Sequence, residues 1–299
     1  MEHKITAALL EEFRTKMKKE EKSSATIEKY MHDIRCFGKF LRESGEGAAE
    51  NQKSERAEDK LPEEAFDKEK VIAYKQYLVD HYASASVNSM LAAVNTFFKE
   101  NGWYDCVVKS LKIQKETFRS SERELTKEEY MRLLRTAARK GNQRLYLLMQ
   151  TICSTGIRVS ELPYITVEAL YTRRAVVSLK GKTRIVILPK ELCRELMHYI
   201  KEKNIQSGSI FITRNGNAMN RSNIWKEMKE LCREAGIGAK KVFPHNLRHL
   251  FACTYYRLEK DITHLADILG HSNINTTRIY TLVSGEEQEK RIELLGLVV

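Results

Sequence analysis

The sequence predicts a mainly α-helical protein of two domains with one small antiparallel β-sheet. Apolar residues recur three and four positions apart through most of the chain, which is the period of an amphipathic helix. Two short β-branched runs, at residues 175–179 and 184–188, predict a hairpin. A polar, basic and weakly patterned stretch at residues 109–124 is typical of an interdomain linker. The predicted organisation is a helical domain over residues 1–112, a linker over 113–123 and a second domain over 124–299.

The first domain is predicted to contain four helices and one long connection. The helical patterns cover residues 5–20, 27–41, 67–82 and 84–101. Between the second and third of them, residues 43–65 lose the periodicity and become rich in small and charged side chains. Such a composition offers little apolar surface to a core, so we expect a solvated or disordered insert there.

The second domain begins with a capping signal and is helical except for the hairpin. Thr126 is followed three residues later by Glu129, which predicts a helix from there to about Lys140. A further apolar helix covers Leu145–Ser154, and the hairpin strands are joined by residues 180–183. The helices after the hairpin are predicted to start near Lys190, Arg221, His245, Asp261 and Thr276.

The composition favours a nucleic-acid partner. Lys and Arg number 51 against 40 Asp and Glu, which gives a formal net charge of +11. No apolar run is long enough to span a membrane, and the N-terminus lacks the apolar stretch of a secretory signal, so we expect a cytoplasmic protein without a membrane partner. The six cysteines are scattered with no CxxC pair, which is typical of reduced, mostly buried thiols.

Two polar clusters lie before and within the hairpin. The first is STGIRVSEL, at 154–162, in which Arg158 could hold a phosphate bidentately with Glu161 beside it. The alternative is that Arg158 is an ordinary surface arginine after a helix-ending glycine. In KGKTR, at 180–184, the basic side chains could enter a groove of a nucleic acid or simply form a solvated turn. A phosphate-binding P-loop is excluded, because position 176 is Val rather than the required Gly.

Two more clusters follow the hairpin. In PHNLRH, at 244–249, His245 and Arg248 are three apart and share a helix face. A zinc site at the two histidines of this cluster lacks the expected Glu and a third ligand, and a plain helix start with a buried His is the alternative. In LGHSNINTTRIYT, at 269–281, His271 follows a helix-ending glycine and Tyr280 comes nine residues later, where a core tyrosine is the simpler interpretation.

Taken in order, these clusters resemble the pattern of the tyrosine recombinases of the phage-integrase kind. The resemblance covers about residues 122–285, and the first half is more loosely similar to the family's core-DNA-binding domain. It implies a helical core-binding domain followed by a tyrosine-recombinase catalytic domain. The implied catalytic residues are Arg158, Lys180, His245, Arg248, His271 and Tyr280.

The resemblance also implies the role of each residue. Tyr280 is the nucleophile that forms a 3′-phosphotyrosine, and Arg158 and Arg248 stabilise the charge on the pentavalent phosphorus. Lys180 protonates the departing 5′ oxygen. The family hairpin often reads KGNKER, whereas this chain has the shorter KGKTR, so Lys182 is an alternative for the same role. The two histidines act as base and hydrogen-bond partners, and no metal or other cofactor is required.

The implied function is site-specific recombination of double-stranded DNA by a homotetramer bound to specific recombination sites. Integration, excision, inversion and resolution all remain open, as do two alternatives: DNA relaxation like that of a type IB topoisomerase, and a DNA-binding regulator without activity. The apolar side chains near residues 292–299 are expected to pack either on their own domain or into a neighbouring subunit.

Overall fold

The structure is a computed structural model of the 299-residue chain. The residues that it describes are 2–45, 65–113, 124–179, 181–281, 290 and 292–297. The chain divides into two compact units, Met1–Lys115 and Glu116–Val299. Most of the predicted insert at 43–65, nearly all of the predicted linker at 113–123, and Lys180 lie outside the described residues.

The first unit is a helical bundle built around aromatic side chains. Its helices are α1 (Ala7–Lys19), α2 (Ser24–Gly45), α3 (Lys68–His81) and α4 (Ser84–Glu100), followed by a 3₁₀ turn at Tyr104–Cys106. The side-chain oxygens of Thr6 and Asp67 cap α1 and α3 by accepting from backbone N–H groups in the first turn. In the core, the Phe37 ring packs edge-on against Phe66 at 5.2 Å and Phe98 at 5.8 Å between centroids.

The segment before α1 is fixed to the bundle by backbone pairing. The N–H of His3 donates to the carbonyl of Phe66 at 2.8 Å, and the N–H of Phe66 donates back at 2.9 Å. Ile5 and Phe66 are both buried. Residues 3 to 5 are therefore part of the folded unit, although the predicted helix began at residue 5 and the observed helix begins at Ala7.

The second unit combines seven described helices with one hairpin. The helices are α5 (Lys127–Arg139), α6 (Gln143–Thr155), α7 (Val167–Thr172), α8 (Lys190–Glu202), α9 (Arg221–Glu234), α10 (Pro244–Glu259) and α11 (Ile262–Leu269). The predicted capping box of Thr126 and Glu129 is present at α5, with both reciprocal hydrogen bonds. Helix α7 was not predicted from the sequence, because six residues are too few to show a helical period.

The end of α6 is closed by a glycine against α10. Gly156 has a left-handed backbone with φ of 65°. A Cβ atom at this position would lie 2.4 Å from a ring carbon of Phe251 in α10. The glycine therefore allows both the turn and the close packing of the two helices.

The hairpin turn is shorter than the sequence suggested. Strands β1 (Arg174–Leu179) and β2 (Lys182–Ile187) are antiparallel, and Leu179 pairs with Lys182, so the connection between the strands is no longer than two residues. Gly181 has φ of 71°, as two-residue hairpin turns require. The turn prediction failed at its second half because Lys182 and Thr183 are polar strand residues rather than turn residues.

The helix predicted to start near Thr276 is replaced, as far as Thr281, by two 3₁₀ turns. These turns cover Ile274–Thr276 and Arg278–Tyr280. The Asn273 side chain accepts from the backbone N–H of Asn275 and starts the first turn. The run is rich in Asn, Thr and Ile, which have modest helix propensity, and tight turns suit it. Across the described parts of the chain, no helix is long and apolar enough to cross a membrane.

Candidate active site

Arg158 stands where α6 gives way to a 3₁₀ helix at Val159–Tyr164. Its backbone N–H donates to Glu161 Oε2 at 2.8 Å, and its Nη1 donates to Oε1 of the same carboxylate at 2.9 Å. Its Nη2 donates to the carbonyl of Gly270 at 3.2 Å. A guanidinium has five N–H donors, and the Arg158 side chain is 40% exposed, so donors remain for an incoming anion.

Glu161 is a buried carboxylate shared by two arginines. Arg184 of β2 donates from Nη2 to Glu161 Oε2 at 2.6 Å, and from Nη1 to the carbonyl of Ile268 at 2.6 Å. Burial by itself would raise the pKa of Glu161, but the backbone N–H of Arg158 and the two guanidiniums outweigh it, and the pKa is lowered. Glu161 therefore stays charged and connects the hairpin to Arg158.

Arg248 on α10 is buried with its hydrogen bonds satisfied by the backbone. It donates from Nη1 to the carbonyl of Gly156 at 2.5 Å and from Nη2 to that of Leu269 at 2.8 Å. Its Nη2 also lies 2.9 Å from Nε2 of His271. Burial and the nearby Arg158 lower the pKa of Arg248 to about 10, so the guanidinium is still charged at neutral pH.

The contacts of His271 define its tautomer. Since a guanidinium can only donate, Nε2 of His271 must accept from Arg248. Nδ1, which lies 2.9 Å from Oγ1 of the buried Thr277, then carries the proton. Burial, followed by the charges of Arg248 and Arg158, lowers the pKa of His271 to about 4. In this arrangement His271 is neutral and its Nε2 is an acceptor, so donation from Nε2 to a phosphate requires a proton to be gained.

Tyr280 lies in the 3₁₀ turn after His271 and is almost fully buried, with 3% of its surface exposed. Its ring is stacked on His271 at 6.3 Å and meets His249 edge-on at 5.1 Å between centroids. Burial raises the pKa of Tyr280, while the charge of Arg248 and a hydrogen bond from it act in the opposite direction. The phenol is therefore protonated and needs a proton acceptor before it can act as a nucleophile.

One of the predicted residues that the structure describes is not joined to this cluster by hydrogen bonds. His245 lies exposed in the first turn of α10, and no hydrogen bond of its ring to another described residue is present. Desolvation by the surrounding protein atoms, followed by the charges of Arg248 and Arg158, lowers the pKa of His245, so its imidazole is neutral at neutral pH. Lys180 is outside the described residues, whereas Lys182 donates to the hydroxyl of Ser272, next to His271.

The cluster carries an excess of positive charge in a small space. Three guanidiniums, those of Arg158, Arg184 and Arg248, face one carboxylate, that of Glu161. With both histidines neutral, the excess is two positive charges. Such a site suits a phosphodiester, which has one negative charge and gains another when a nucleophile attacks it.

Sequence reasoning missed the position of Arg184 and the role of Thr277. Arg184 was grouped with the basic turn, but it is 15% exposed and faces Glu161. Its spacing of two from Lys182 places both on one face of the strand, and that was an available signal. Nothing in the sequence distinguishes Thr277 from its neighbours, because its contact with His271 arises only from the tight turns between them.

Comparison with known proteins gives consistent matches along the chain. Residues 123–287 match the model of the phage integrase family, and residues 9–101 match that of the phage integrase N-terminal SAM-like domain. Tyrosine recombinase XerA of Pyrococcus furiosus is 29% identical over 99% of this chain and 97% of its own length. Tyrosine recombinase XerA of Thermococcus kodakarensis is 31% identical over 73% of this chain and 77% of its own length.

Solved structures share the fold. A crystal structure of XerA recombinase has a TM-score of 0.51 at 24% identity, covering 98% of this chain and 99% of its own. A lambda integrase dimer bound to a COC′ core site has a TM-score of 0.68 at 17% identity, covering 93% of this chain and 77% of its own. The predicted fold class, mainly α with a small antiparallel sheet, is confirmed by the elements and by these neighbours.

Proposed function

The chain belongs to the phage integrase family, and on that premise we propose that it is a tyrosine site-specific recombinase. It cleaves and rejoins double-stranded DNA through a 3′-phosphotyrosine on Tyr280. The observation that carries this proposal is the contact of the Tyr280 phenol with the buried Arg248, beside a cluster that has two excess positive charges.

The protein groups would divide the reaction as follows. Arg158 and Arg248 hold the non-bridging oxygens of the scissile phosphate, while Tyr280 Oη forms a bond to phosphorus and the bond to the 5′ oxygen breaks. His245, neutral at neutral pH, receives the phenolic proton. A lysine of the hairpin returns a proton to the 5′ oxygen. Because the phosphodiester bond is exchanged for a phosphotyrosine of similar energy, the rejoining step needs no ATP.

His271 would act on the phosphate through its Nε2 atom, which accepts a hydrogen bond from Arg248 in the free enzyme. The binding of a phosphate adds negative charge and raises the pKa of a nearby imidazole. A protonated His271 would lose its acceptor contact with Arg248 and could then donate to the phosphate from Nε2. The predicted donor role is thus compatible with the neutral form of the free enzyme.

We further propose that recombination takes place in a homotetramer on paired DNA sites. Recombination requires cleavage of two duplexes, and among the fold neighbours is a lambda integrase tetramer bound to a Holliday junction. The chain would act in the cytoplasm and serve either a mobile element or the chromosome. Its net charge of +11 would make DNA affinity strongly dependent on salt.

The direct test is to trap the covalent intermediate on a nicked suicide DNA substrate. The wild-type protein should give a protein–DNA band that survives denaturation, and Tyr280→Phe should bind the same DNA without forming it. Tyr171→Phe is a matched control, because this tyrosine lies on α7 and is 74% exposed. An adduct that persists in Tyr280→Phe would show that the nucleophile is wrongly assigned.

The general acid can be identified with a modified leaving group. A 5′-phosphorothiolate leaves without protonation, so it should restore cleavage to a variant that lacks only the acid. We expect rescue of Lys180→Ala. Lys182→Ala should need no rescue if its contact with Ser272 merely holds the hairpin. Rescue of Lys182→Ala alone would transfer the acid role to Lys182.

A further inference from the structure

Three side chains with metal-ligating atoms meet in the first unit, whereas the proposed catalytic residues all belong to the second. Nε2 of His3 lies 3.1 Å from both carboxylate oxygens of Asp105. Sγ of Cys106 lies 3.9 Å from Oδ2 of Asp105. One ligand atom from each residue lies within 4.8 Å of the other two. We propose that His3, Asp105 and Cys106 form a binding site for a divalent metal ion of the zinc class.

The separations approach those around a tetrahedral ion, and the ligand atoms of His3 and Cys106 are no more than 4.8 Å apart. Zinc binds imidazole nitrogen, carboxylate oxygen and thiolate sulfur at about 2.0–2.3 Å, so two ligand atoms of one tetrahedron are roughly 3.4–3.6 Å apart. The separation of 3.1 Å between His3 and Asp105 is slightly shorter than this, and that of 3.9 Å between Asp105 and Cys106 is slightly longer. Small rotations of the side chains would bring all three atoms onto one ion.

The backbone positions these ligands before any ion arrives. His3 is fixed by its two backbone hydrogen bonds with Phe66, and its ring is stacked on Trp103 at 4.8 Å with an angle of 21° between the planes. Asp105 and Cys106 are neighbours in the 3₁₀ turn Tyr104–Cys106. A site that is held in this way loses little conformational entropy when the ion binds.

The charges and exposure of the three residues also suit a divalent ion. Asp105 is anionic, since the hydrogen bond with His3 lowers its pKa, and a bound Cys106 would be a thiolate, so the ligands balance two positive charges. Burial raises the pKa of Cys106 to about 11, so the thiol must give up its proton to solvent as the metal–sulfur bond forms. Cys106 is buried and the Asp105 side chain is 44% exposed, which leaves the fourth position to water.

Positive charge near the three residues opposes the binding of a cation. Lys68 lies close enough to Cys106 to lower the pKa of its thiol, which favours the thiolate but repels a cation. The Lys68 ammonium donates to the carbonyl of Val107, and this hydrogen bond partly compensates its charge. The bound ion would join residue 3 to residues 105 and 106. It would therefore link the segment before α1 to the 3₁₀ turn after α4. The expected role is structural.

The test uses the full chain, stripped with a chelator and titrated with Co²⁺. A cobalt–thiolate bond gives a charge-transfer absorption in the near ultraviolet, which should saturate at one equivalent and disappear when Zn²⁺ is added. Cys106→Ser should lose this band. Asp105→Asn, at a side chain that is 44% exposed, should raise the dissociation constant at least tenfold. Cys193→Ser, which changes another buried thiol, is the control and should keep the band.

A second measurement covers the case in which Cys106→Ser does not fold. Zn²⁺ should raise the melting temperature of the wild-type protein and of Cys193→Ser, and raise that of Asp105→Asn much less. The absence of a thiolate band in the wild-type protein would overturn the proposal. A thiolate band that survives in Cys106→Ser would also overturn it, as would an unchanged dissociation constant for Co²⁺ in Asp105→Asn. In either case the ion would bind elsewhere.

Discussion

A charged side chain as deeply buried as Arg248 must be fully compensated or the fold will not tolerate it. Its surface is 2% exposed, and its donors are matched by the carbonyls of Gly156 and Leu269 and by the His271 ring. Arg158 differs, because its side chain is 40% exposed and its carboxylate partner Glu161 has a second arginine. The two arginines are therefore equivalent in the proposed chemistry but unequal in what they contribute to stability.

That inequality predicts different results for the two alanine variants. Arg158→Ala should slow single-turnover cleavage by orders of magnitude and change the free energy of unfolding by less than about 1 kcal/mol. Arg248→Ala should abolish cleavage and also destabilise the protein by about 2–4 kcal/mol, because it leaves buried carbonyl oxygens without a donor. Cleavage assays and denaturant unfolding measure the two effects separately. Equal loss of stability in both variants would contradict the argument.

His271 predicts a pH dependence of stability. Its pKa is about 4 in the folded protein against an ordinary value of 6.5, so as the pH falls below 6.5 the unfolded chain takes up a proton first. Stability is therefore lost as the pH falls from about 6.5 to about 4, and this residue accounts for up to about 3 kcal/mol of the loss.

His271→Gln isolates this effect. A glutamine oxygen can accept from Arg248 and its amide can donate to Thr277, but the side chain does not titrate. The free energy of unfolding of this variant, measured by denaturant titration at several pH values, should fall less steeply between pH 6.5 and 4 than that of the wild type. All other titrating groups are common to the two proteins. Parallel curves would mean that folding does not lower the pKa of His271.

At the scale of elements, Gly270, which ends α11, lies against Arg184 of the hairpin strand β2. Gly270 has φ of 64°, and a Cβ atom there would lie 2.5 Å from Cδ and 2.9 Å from Nε of Arg184. The Gly270 carbonyl also accepts from Arg158. The glycine thus lets Arg184 of β2 pass close to the backbone that accepts a hydrogen bond from Arg158.

Gly270→Ala should therefore impair cleavage as well as stability. Gly216 is a matched control, since its φ is 78° but nothing lies within 4 Å of an added Cβ. Both alanines carry the left-handed backbone strain, about 1 kcal/mol or more, but only that at 270 displaces Arg184. We expect Gly216→Ala to cleave normally and Gly270→Ala to lose at least tenfold in single-turnover rate. Equal rates would show that Arg184 adjusts without cost.

The elements that the sequence predicted well are those bounded by local signals. The Thr126 capping box and the left-handed glycines at 156 and 270 mark their helix ends in the chain itself. The order of the motifs also pointed to the residues that lie together around Arg248. The shared carboxylate of Glu161, the inward position of Arg184 and the 3₁₀ turns before Tyr280 depend on contacts between distant segments, and no local pattern reports such contacts.

At the scale of the whole molecule, the described tail residues leave apolar surface uncovered. Leu294 and Leu297 are 85% and 82% exposed, so they do not pack on their own unit. The same unit has an apolar cavity of about 530 Å³, formed mainly by α10 and α5, with Tyr130, Phe251 and Leu258 in its lining. With an uncovered apolar segment and an open apolar cavity on the same chain, the tail of one copy could fill the cavity of another.

We therefore expect the tail to dock in the cavity of a neighbouring subunit. Truncation after residue 286 should leave a folded monomer that binds a half-site and cleaves it, yet forms no tetramer on paired sites. Leu258→Asp should have the same effect, because this side chain is 79% exposed and its change spares the monomer. Native gels with DNA and thermal unfolding measure assembly and stability in parallel.

A mixture of the two variants separates docking in trans from docking in cis. The truncated protein keeps the cavity but has no tail, and Leu258→Asp keeps the tail but has a charged cavity. If the tail docks on its neighbour, the tail of Leu258→Asp can enter the cavity of the truncated protein. The mixture should then restore dimers on DNA but not the tetramer, which needs a tail and a cavity in every subunit. If the tail instead docks on its own unit, each variant should melt at a lower temperature as a monomer, and mixing should restore nothing.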